Sequence, residues 1–321
     1  MKQWISSETI PEDWEQRCLK YNSLFHSPSW QHVLQLGFGN QTLYIWNETS
    51  NASLTATIFK TGPFRIAYVG FPVGGLVDGS AFQKAQIDDL KQACLQVHLL
   101  RFPTSSLTPA HLDLSCQCAP ETAISDLAGW RIEGLSNIRR NVNKAQNSGL
   151  VIQDLSDAHD HTILYQLYKE TVLSHGGSLR YTKAYFKALL YLSTNESRLR
   201  CIGAFKDGRI VGFLVSALHN TTGYYLHGAS EPAFRCYRIS DLLMYEAIRW
   251  AQNQNMACFN LMASPPGQPG LIRFKEKFGA ETRIQSTYEL VLNPLYANSF
   301  KMILNLQKKV KNSFRKFLVK A

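Results

Sequence analysis

The 321-residue sequence has no apolar run near the ~18 residues that a membrane-spanning helix needs; its longest candidate, around Ile210–Leu218, is of strand length. The opening Met1-Lys2-Gln3-Trp4-Ile5-Ser6 contains no apolar core of a secretory leader, so none is expected. Charged residues make up only 18%, below the usual ~25%. Cysteine is sparse and odd in number: seven residues, with Cys116-x-Cys118 as the one close pair. No second pair stands at zinc-ligand spacing, so no metal site is expected, and reduced thiols in a cytoplasmic setting are. No internal repeat is seen, and collagen, coiled coil and a disulfide mini-scaffold are excluded as well.

What remains is ordinary globular material, 45% apolar and 12% aromatic, with length for two domains at ~150 residues each. The charge is unevenly placed. Lys301, Lys308, Lys309, Lys311, Arg315, Lys316 and Lys320 crowd the end, and no acid follows Glu289. Removing those seven from the net +10 leaves +3 for the remainder. An anionic partner near the C-terminus fits this better than a nucleic-acid coat over the whole body, and no DNA-reading motif is present.

Along the chain, Thr42–Trp46, Leu54–Lys60 and Arg65–Val69 read as strands rich in β-branched and aromatic residues. Gly70-Phe71-Pro72-Val73-Gly74-Gly75 is turn-rich, and Ala81–Leu99 has a helical apolar face. Residues 101–135 read as irregular, with Pro103, Pro109 and Pro120, and the domain boundary is placed there. A short basic helix ends at Gly149, and a strand, Leu150–Asp154, follows. Helices are expected over His159–His175 and Thr182–Leu192. Strands Leu199–Lys206 and Arg209–His219 flank the Asp207-Gly208 turn, a strong hairpin signal. A third strand, Tyr224–Ala229, precedes a helix over Ser240–Asn253 capped by Ser240. Strand Ala257–Met262, helix Gly270–Phe278 closed by Gly279, and strand Ile284–Leu292 complete the order. Two helices thus precede an antiparallel meander, and a β-α-β-α unit completes a mixed sheet.

Four segments carry a resemblance. Arg139-Arg140-Asn141-Val142-Asn143-Lys144-Ala145 through Gly149-Leu150 is the first, and Tyr224-Tyr225-Leu226-His227-Gly228-Ala229-Ser230 the second. Arg238 through Ala251 is the third, and Gly270-Leu271-Ile272-Arg273-Phe274-Lys275-Glu276-Lys277-Phe278-Gly279 the fourth. In this order they resemble the FemAB-related, BioF2-like acyltransferases of the GNAT superfamily over about residues 136–290. Phe25–Trp30 and Gly70–Asp78 resemble the N-terminal half of that family more weakly. The resemblance implies a mixed α/β fold of two tandem GNAT-like domains, residues 1–120 and 121–295, with a basic amphipathic tail at 296–321. It implies that an amine attacks an activated acyl carbon. The donor would be an acyl-CoA thioester, or an aminoacyl-tRNA as in bridge-forming members, serving as co-substrate with no tightly bound cofactor. The acceptor would be a cell-envelope precursor or a small molecule.

By this resemblance Lys275, next to Phe274, is placed to stabilise an oxyanion or hold a phosphate. An exposed lysine on a charged helix face, between Arg273 and Lys277, is the plainer reading. Arg180 and Tyr185 stand where an Arg and a Tyr could hold substrate. Tyr225 and His227 fall on one strand face, as a donor and a base near neutral pH. Arg139, Arg140 and Lys144 form a basic cluster for pyrophosphate or tRNA. The donor loop maps to Arg235–Ser240, with Arg235, Arg238 and Ser240 as contacts. There Arg238 replaces a glycine of the acyl-CoA loop, and Gln31-His32-Val33-Leu34 lacks the lysine of bridge-forming members. A fold that has lost its chemistry therefore stays open beside the enzyme. In the tail, Phe300, Ile303, Leu304, Gln307, Val310, Phe314, Phe317 and Leu318 mark one helical face. It could dock on the body, lie on the anionic inner face of the membrane, or touch RNA.

Overall fold

The computed structural model of the protein describes residues 4–19, 23–47, 52–72, 90–94, 96–104, 115–156, 160–265 and 267–318. Its contacts divide the chain into two compact units whose segments interleave. One comprises Met1–Pro11, Asn40–Gln117 and Thr287–Ala321; the other comprises Glu12–Gly39 and Cys118–Ser286. A boundary near residue 120 is therefore one of several crossings: residues 12–39 belong with the later unit, and the chain from Thr287 belongs with the earlier one.

In the first unit, β1 (Trp4–Ser7), β2 (Gln41–Asn47), β3 (Ala52–Thr61) and β4 (Phe64–Val69) pair antiparallel in sequence order. β5 (Leu99–Thr104) then adds parallel to β4, with Tyr68 opposite Arg101. Leu43, Ile45, Leu54, Ala56 and Ile58 pack against Leu90, Cys94, Val97, Tyr288 and Leu290. The helix expected over Ala81–Leu99 and the Gly74-Gly75 turn lie largely outside the described residues. Leu99 itself opens a strand, and Leu99, Leu100 and Phe102 are all buried, as expected of a parallel strand covered on both faces. The irregular stretch expected from 101 onward is thus partly strand, Pro103 included, and Ser115–Ile124 is also a strand.

The tail is helical from Pro294 to Leu318, with side chains described as far as Leu306. Ala297, Phe300 and Leu304 pack on Phe64, Ile66, Tyr68, Leu99 and Val291. Glu289, 6% exposed, accepts from Arg101 at 2.7 Å and from Lys301 at 2.8 Å. The beginning of the tail therefore docks on its own unit. Leu295, Met302, Ile303 and Leu306 are exposed.

The second unit builds the site. Helices α1 (Trp14–Leu19) and α2 (Pro28–Phe38) come from its early segment. After β6 (Ser115–Ile124) follow α3 (Ser136–Gln146), β7 (Val151–Asp154), α4 (Asp160–Ser174) and α5 (Lys183–Asn195). Then come β8 (Leu199–Lys206), β9 (Arg209–His219), β10 (Thr222–Ser230), α6 (Ile239–Asn253), β11 (Cys258–Ala263) and α7 (Pro269–Glu276). The sheet order is β6-β11-β10-β9-β8-β7, antiparallel except for the β10–β11 pair. The β8–β9 hairpin turns on Asp207 and Gly208, both at positive φ, as a two-residue turn requires. Every residue of β9 after Arg209 is buried, because both faces are covered. Val211, Leu214 and Leu218 meet α3 and α6, whereas Phe213 meets Phe186 of α5. Each such fully buried side chain contributes roughly 1.5–3 kcal/mol, so β9 anchors the unit.

Candidate active site

The parallel pairing of β10 with β11 runs only from Thr222 opposite Cys258 to Tyr224 opposite Asn260. Beyond Tyr224, β10 continues against β9 alone and carries a bulge: Tyr225 pairs with Ser216 and His227 with Val215, leaving Leu226 as the extra residue. Beside the rest of β10 lies a cleft of about 230 Å³. β10 supplies Tyr225 and the Gly228–Ser230 segment, α6 its first two turns, α7 Leu271 and Phe274, α4 Thr171 and Ser174, and the residue after α4, His175. Phe213, Leu243, Met244, Leu271 and Phe274 make most of the floor apolar. Tyr225, His175, Arg235 and the Ser230 and Ser240 hydroxyls, 3.1 Å apart, supply its polar groups.

Gly228 makes room for the tyrosine. A Cβ there would stand 2.8 Å from the Tyr225 hydroxyl oxygen and 3.0 Å from its Cε2. Burial pushes the Tyr225 hydroxyl up to about 12, so at neutral pH it is a hydrogen-bond donor.

The bulge separates two residues that strict alternation would put together. Tyr225 packs with the α3–α6 core. His227 instead meets the rings of Tyr168, Tyr181, Tyr185 and Phe186 from the α4–α5 side. Its Nε2 lies 2.9 Å from the Tyr185 hydroxyl. Burial among these rings lowers its pKa to about 3, which corrects the expectation of a base near neutral pH. Tyr185 is fully buried, and burial raises its hydroxyl well above the usual range. It packs edge-on to Trp30 at 6.3 Å, so both aromatics serve the α2–α5 interface. Arg180 is exposed, and its backbone N–H donates to the Tyr168 hydroxyl at 3.0 Å. Neither Arg180 nor Tyr185 lines the cleft. Arg139, Arg140 and Lys144 are exposed on α3, also away from it.

Lys275 is neither exposed nor in the cleft. It is 2% exposed, and its Nζ donates to the Met262 carbonyl at 2.7 Å and to Ser264 Oγ at 2.9 Å. Desolvation lowers its pKa to about 8, against the pull of Glu121. Met262 has a positive φ of 67°, and its N–H donates to Asn260 Oδ1 at 2.7 Å. Lys275 therefore holds the irregular end of β11 in place.

Arg238, where a glycine was expected, adopts the glycine conformation: φ 59°, ψ 34°, immediately before α6. The loop keeps the backbone form while carrying a side chain. Ser240 does not cap α6, which starts at Ile239 without a side-chain cap. Instead the first turn is held by Asp241, 4% exposed, which accepts from Asn141 Nδ2 of α3 at 2.9 Å and from Lys277 Nζ. Lys277 also lies 4.4 Å from the Phe274 ring centroid. Three of the motif segments thus converge on one carboxylate beside the cleft. Asn141, Asp241, Lys277 and His175 were not singled out from the sequence. Asp241 could have been sought as the one acid in the first turn of α6, but pairing across three helices is not visible in linear order.

The acetyltransferase (GNAT) domain family matches residues 134–276, a span that includes every residue lining the cleft. Over residues 134–276 the chain is similar to a GNAT domain. The fold is also that of solved structures at low identity. FemX shares 13% identity over 91% of this chain and 98% of its own, with a TM-score of 0.65. A tandem GNAT protein from the clavulanic acid biosynthesis pathway shares 10% over 91% and 98%, with a TM-score of 0.59. L-PGS from Bacillus licheniformis shares 14% over 95% and 98%, with a TM-score of 0.57. No curated protein matches the chain. The resemblance to FemAB-related GNAT acyltransferases is borne out in the domain match and in these folds. Within the GNAT domain, Tyr225, Phe274, Arg235 and Ser240 are the expected site residues that meet at the cleft.

Proposed function

We propose that the protein is an N-acyltransferase that moves an acyl group from an acyl-CoA thioester to an amine, with the cleft beside β10 as the donor site. The observation that carries this reading is the cleft itself. It lies wholly within the GNAT domain, at a bulged strand, between an apolar floor and the first turn of a helix. The apolar floor suits an acyl chain. Arg235 and the amino end of α6 suit the anionic end of the donor, since unpaired helix amides and a guanidinium both favour phosphate.

The step balances without a metal. The neutral amine attacks the thioester carbonyl carbon and a C–N bond forms. The Tyr225 hydroxyl donates a hydrogen bond to the oxyanion. His175 takes the proton that the amine sheds. The C–S bond breaks, and the thiolate leaves with the bonding pair. A protonated phenol suits the donor role, because its proton stays in place as the oxyanion develops. Tyr225→Phe keeps the ring that fills the space above Gly228 and removes only the donor. Losing one such donor lowers the rate by about a hundredfold. A steady-state transfer assay comparing the two proteins tests this; an unchanged rate would remove Tyr225 from the chemistry. Transfer from an aminoacyl ester alone would replace the thioester donor, and no transfer from either would favour an inert binding protein.

A further inference from the structure

The tail helix, Pro294–Leu318, carries two apolar stripes where docking on its own unit needs one. Ala297, Phe300 and Leu304 recur at spacings of three and four and pack on Phe64, Ile66, Tyr68, Leu99 and Val291. Leu295, Met302 and Leu306 are 74%, 63% and 52% exposed. Each stands two residues from a docked one, about 200° around the helix at 3.6 residues per turn. They therefore line the side turned to solvent. Lys301 Nζ, 2.8 Å from Glu289, ties down the edge of the docked side. That pair and the docked stripe fix the rotation of the helix, so the second stripe stays outward.

The charge of the helix says what covers that stripe. In sequence its phase continues at Val310 and Phe317, four and eleven residues beyond Leu306, among Lys308, Lys309, Lys311, Arg315 and Lys316. No acidic residue follows Glu289. The partner must therefore take apolar side chains and positive charge along one 25-residue helix. An RNA takes the lysines and leaves Met302 and Leu306 in water. A neutral apolar groove takes those two and leaves the lysines without counter-charge. An anionic lipid surface takes both, since apolar side chains sink to the acyl boundary while lysines stay among the phosphates. No helix of the described residues is long and apolar enough to cross a membrane, so the contact is one of lying along the surface.

We propose that the outward side of the tail helix, Leu295, Met302, Ile303 and Leu306 with the basic residues that follow, is a docking surface for an anionic lipid bilayer. The surface does not depend on acyl transfer, so binding is measured without turnover. The full chain is floated with vesicles of phosphatidylcholine and phosphatidylglycerol, and separately with vesicles of phosphatidylcholine alone. Flotation with the anionic vesicles only is expected, and it falls as salt is raised. Met302→Gln together with Leu306→Gln, both exposed and outside the docked stripe, weakens partitioning about tenfold. Lys308→Gln together with Lys309→Gln weakens it about fivefold for each lysine. No flotation of the full chain, equal flotation with phosphatidylcholine alone, or undiminished flotation in either double variant would each overturn the proposal. Retention on single-stranded RNA that survives Met302→Gln with Leu306→Gln, without flotation, would assign the tail to nucleic acid instead.

Discussion

Lys275→Met isolates what a buried ammonium does in this fold. Lys275 Nζ is 2% exposed and bonded to the Met262 carbonyl and Ser264 Oγ. Burial brings its pKa from 10.5 to about 8. The folded-state value is the lower one, so between those two values the unfolded chain binds the proton more tightly and stability rises with pH. At 1.36 kcal/mol per pH unit the full span is worth about 3 kcal/mol, a cost borne in full below pH 8 and relieved toward pH 10.5. Methionine does not titrate. Urea unfolding of both proteins at several pH values from 7.5 to 10 cancels every other group in the difference. The stability of wild type minus Lys275→Met is expected to rise by roughly 2 kcal/mol over the accessible range. A difference that does not change with pH would refute the reasoning, because it would mean that the ammonium is as well solvated as in the unfolded chain. The same variant bears on chemistry. Its Nζ is held at the end of β11 and outside the cleft, so the transfer rate of the folded variant is expected to stay within about threefold of wild type. A hundredfold loss would return Lys275 to the reaction.

Three further outcomes concern Gly228 in the cleft and Arg238 and Lys277 outside its lining. Arg238→Gly relieves a left-handed backbone position and is expected to raise stability by about 1 kcal/mol, read as a higher midpoint by calorimetry; a lower midpoint would count against strain at that site. Lys277→Met leaves Asp241 buried with Asn141 as its remaining donor and is expected to cost about 2–3 kcal/mol. A double-mutant cycle with Asp241→Asn should recover part of that loss, and strict additivity would argue that the pair is uncoupled. Gly228→Ala places a Cβ 2.8 Å from the Tyr225 hydroxyl oxygen and is expected to slow transfer about tenfold by displacing the ring, since small misplacements at a reacting centre are expensive. Unchanged kinetics would show that the Tyr225 position is not critical.

Local signals in the chain were legible where the structure depends on them. Leu199–Lys206 and Arg209–His219 keep the bounds read from their β-branched runs, because the Asp207-Gly208 turn sets the register. The order of elements from α3 to α7 follows the helical and strand periodicities. What could not be read depends on partners remote in sequence. The bulge at Leu226 arises from pairing with β9, and it reverses the face on which His227 sits relative to Tyr225. Lys275, flanked by Arg273 and Lys277, reads as a solvated face; its burial depends on Met262 and Ser264, eleven or more residues upstream. Arg238 reads as a lost glycine, but the backbone holds the left-handed turn regardless. The interleaving of residues 12–39 with 118–286 follows from α2 packing on α5, where the Thr182 hydroxyl donates to the Gly37 carbonyl at 2.7 Å.

The donor is the central question, and direct binding addresses it without an acceptor. Calorimetric titration of the full chain with acetyl-CoA, a longer acyl-CoA and charged tRNA, side by side, compares the three chemistries at the same cleft. Saturable one-to-one binding of an acyl-CoA is expected, and it should weaken when Arg235 is replaced by alanine. Binding of charged tRNA with no response to either thioester would contradict the assignment of the cleft beside β10 as an acyl-CoA site.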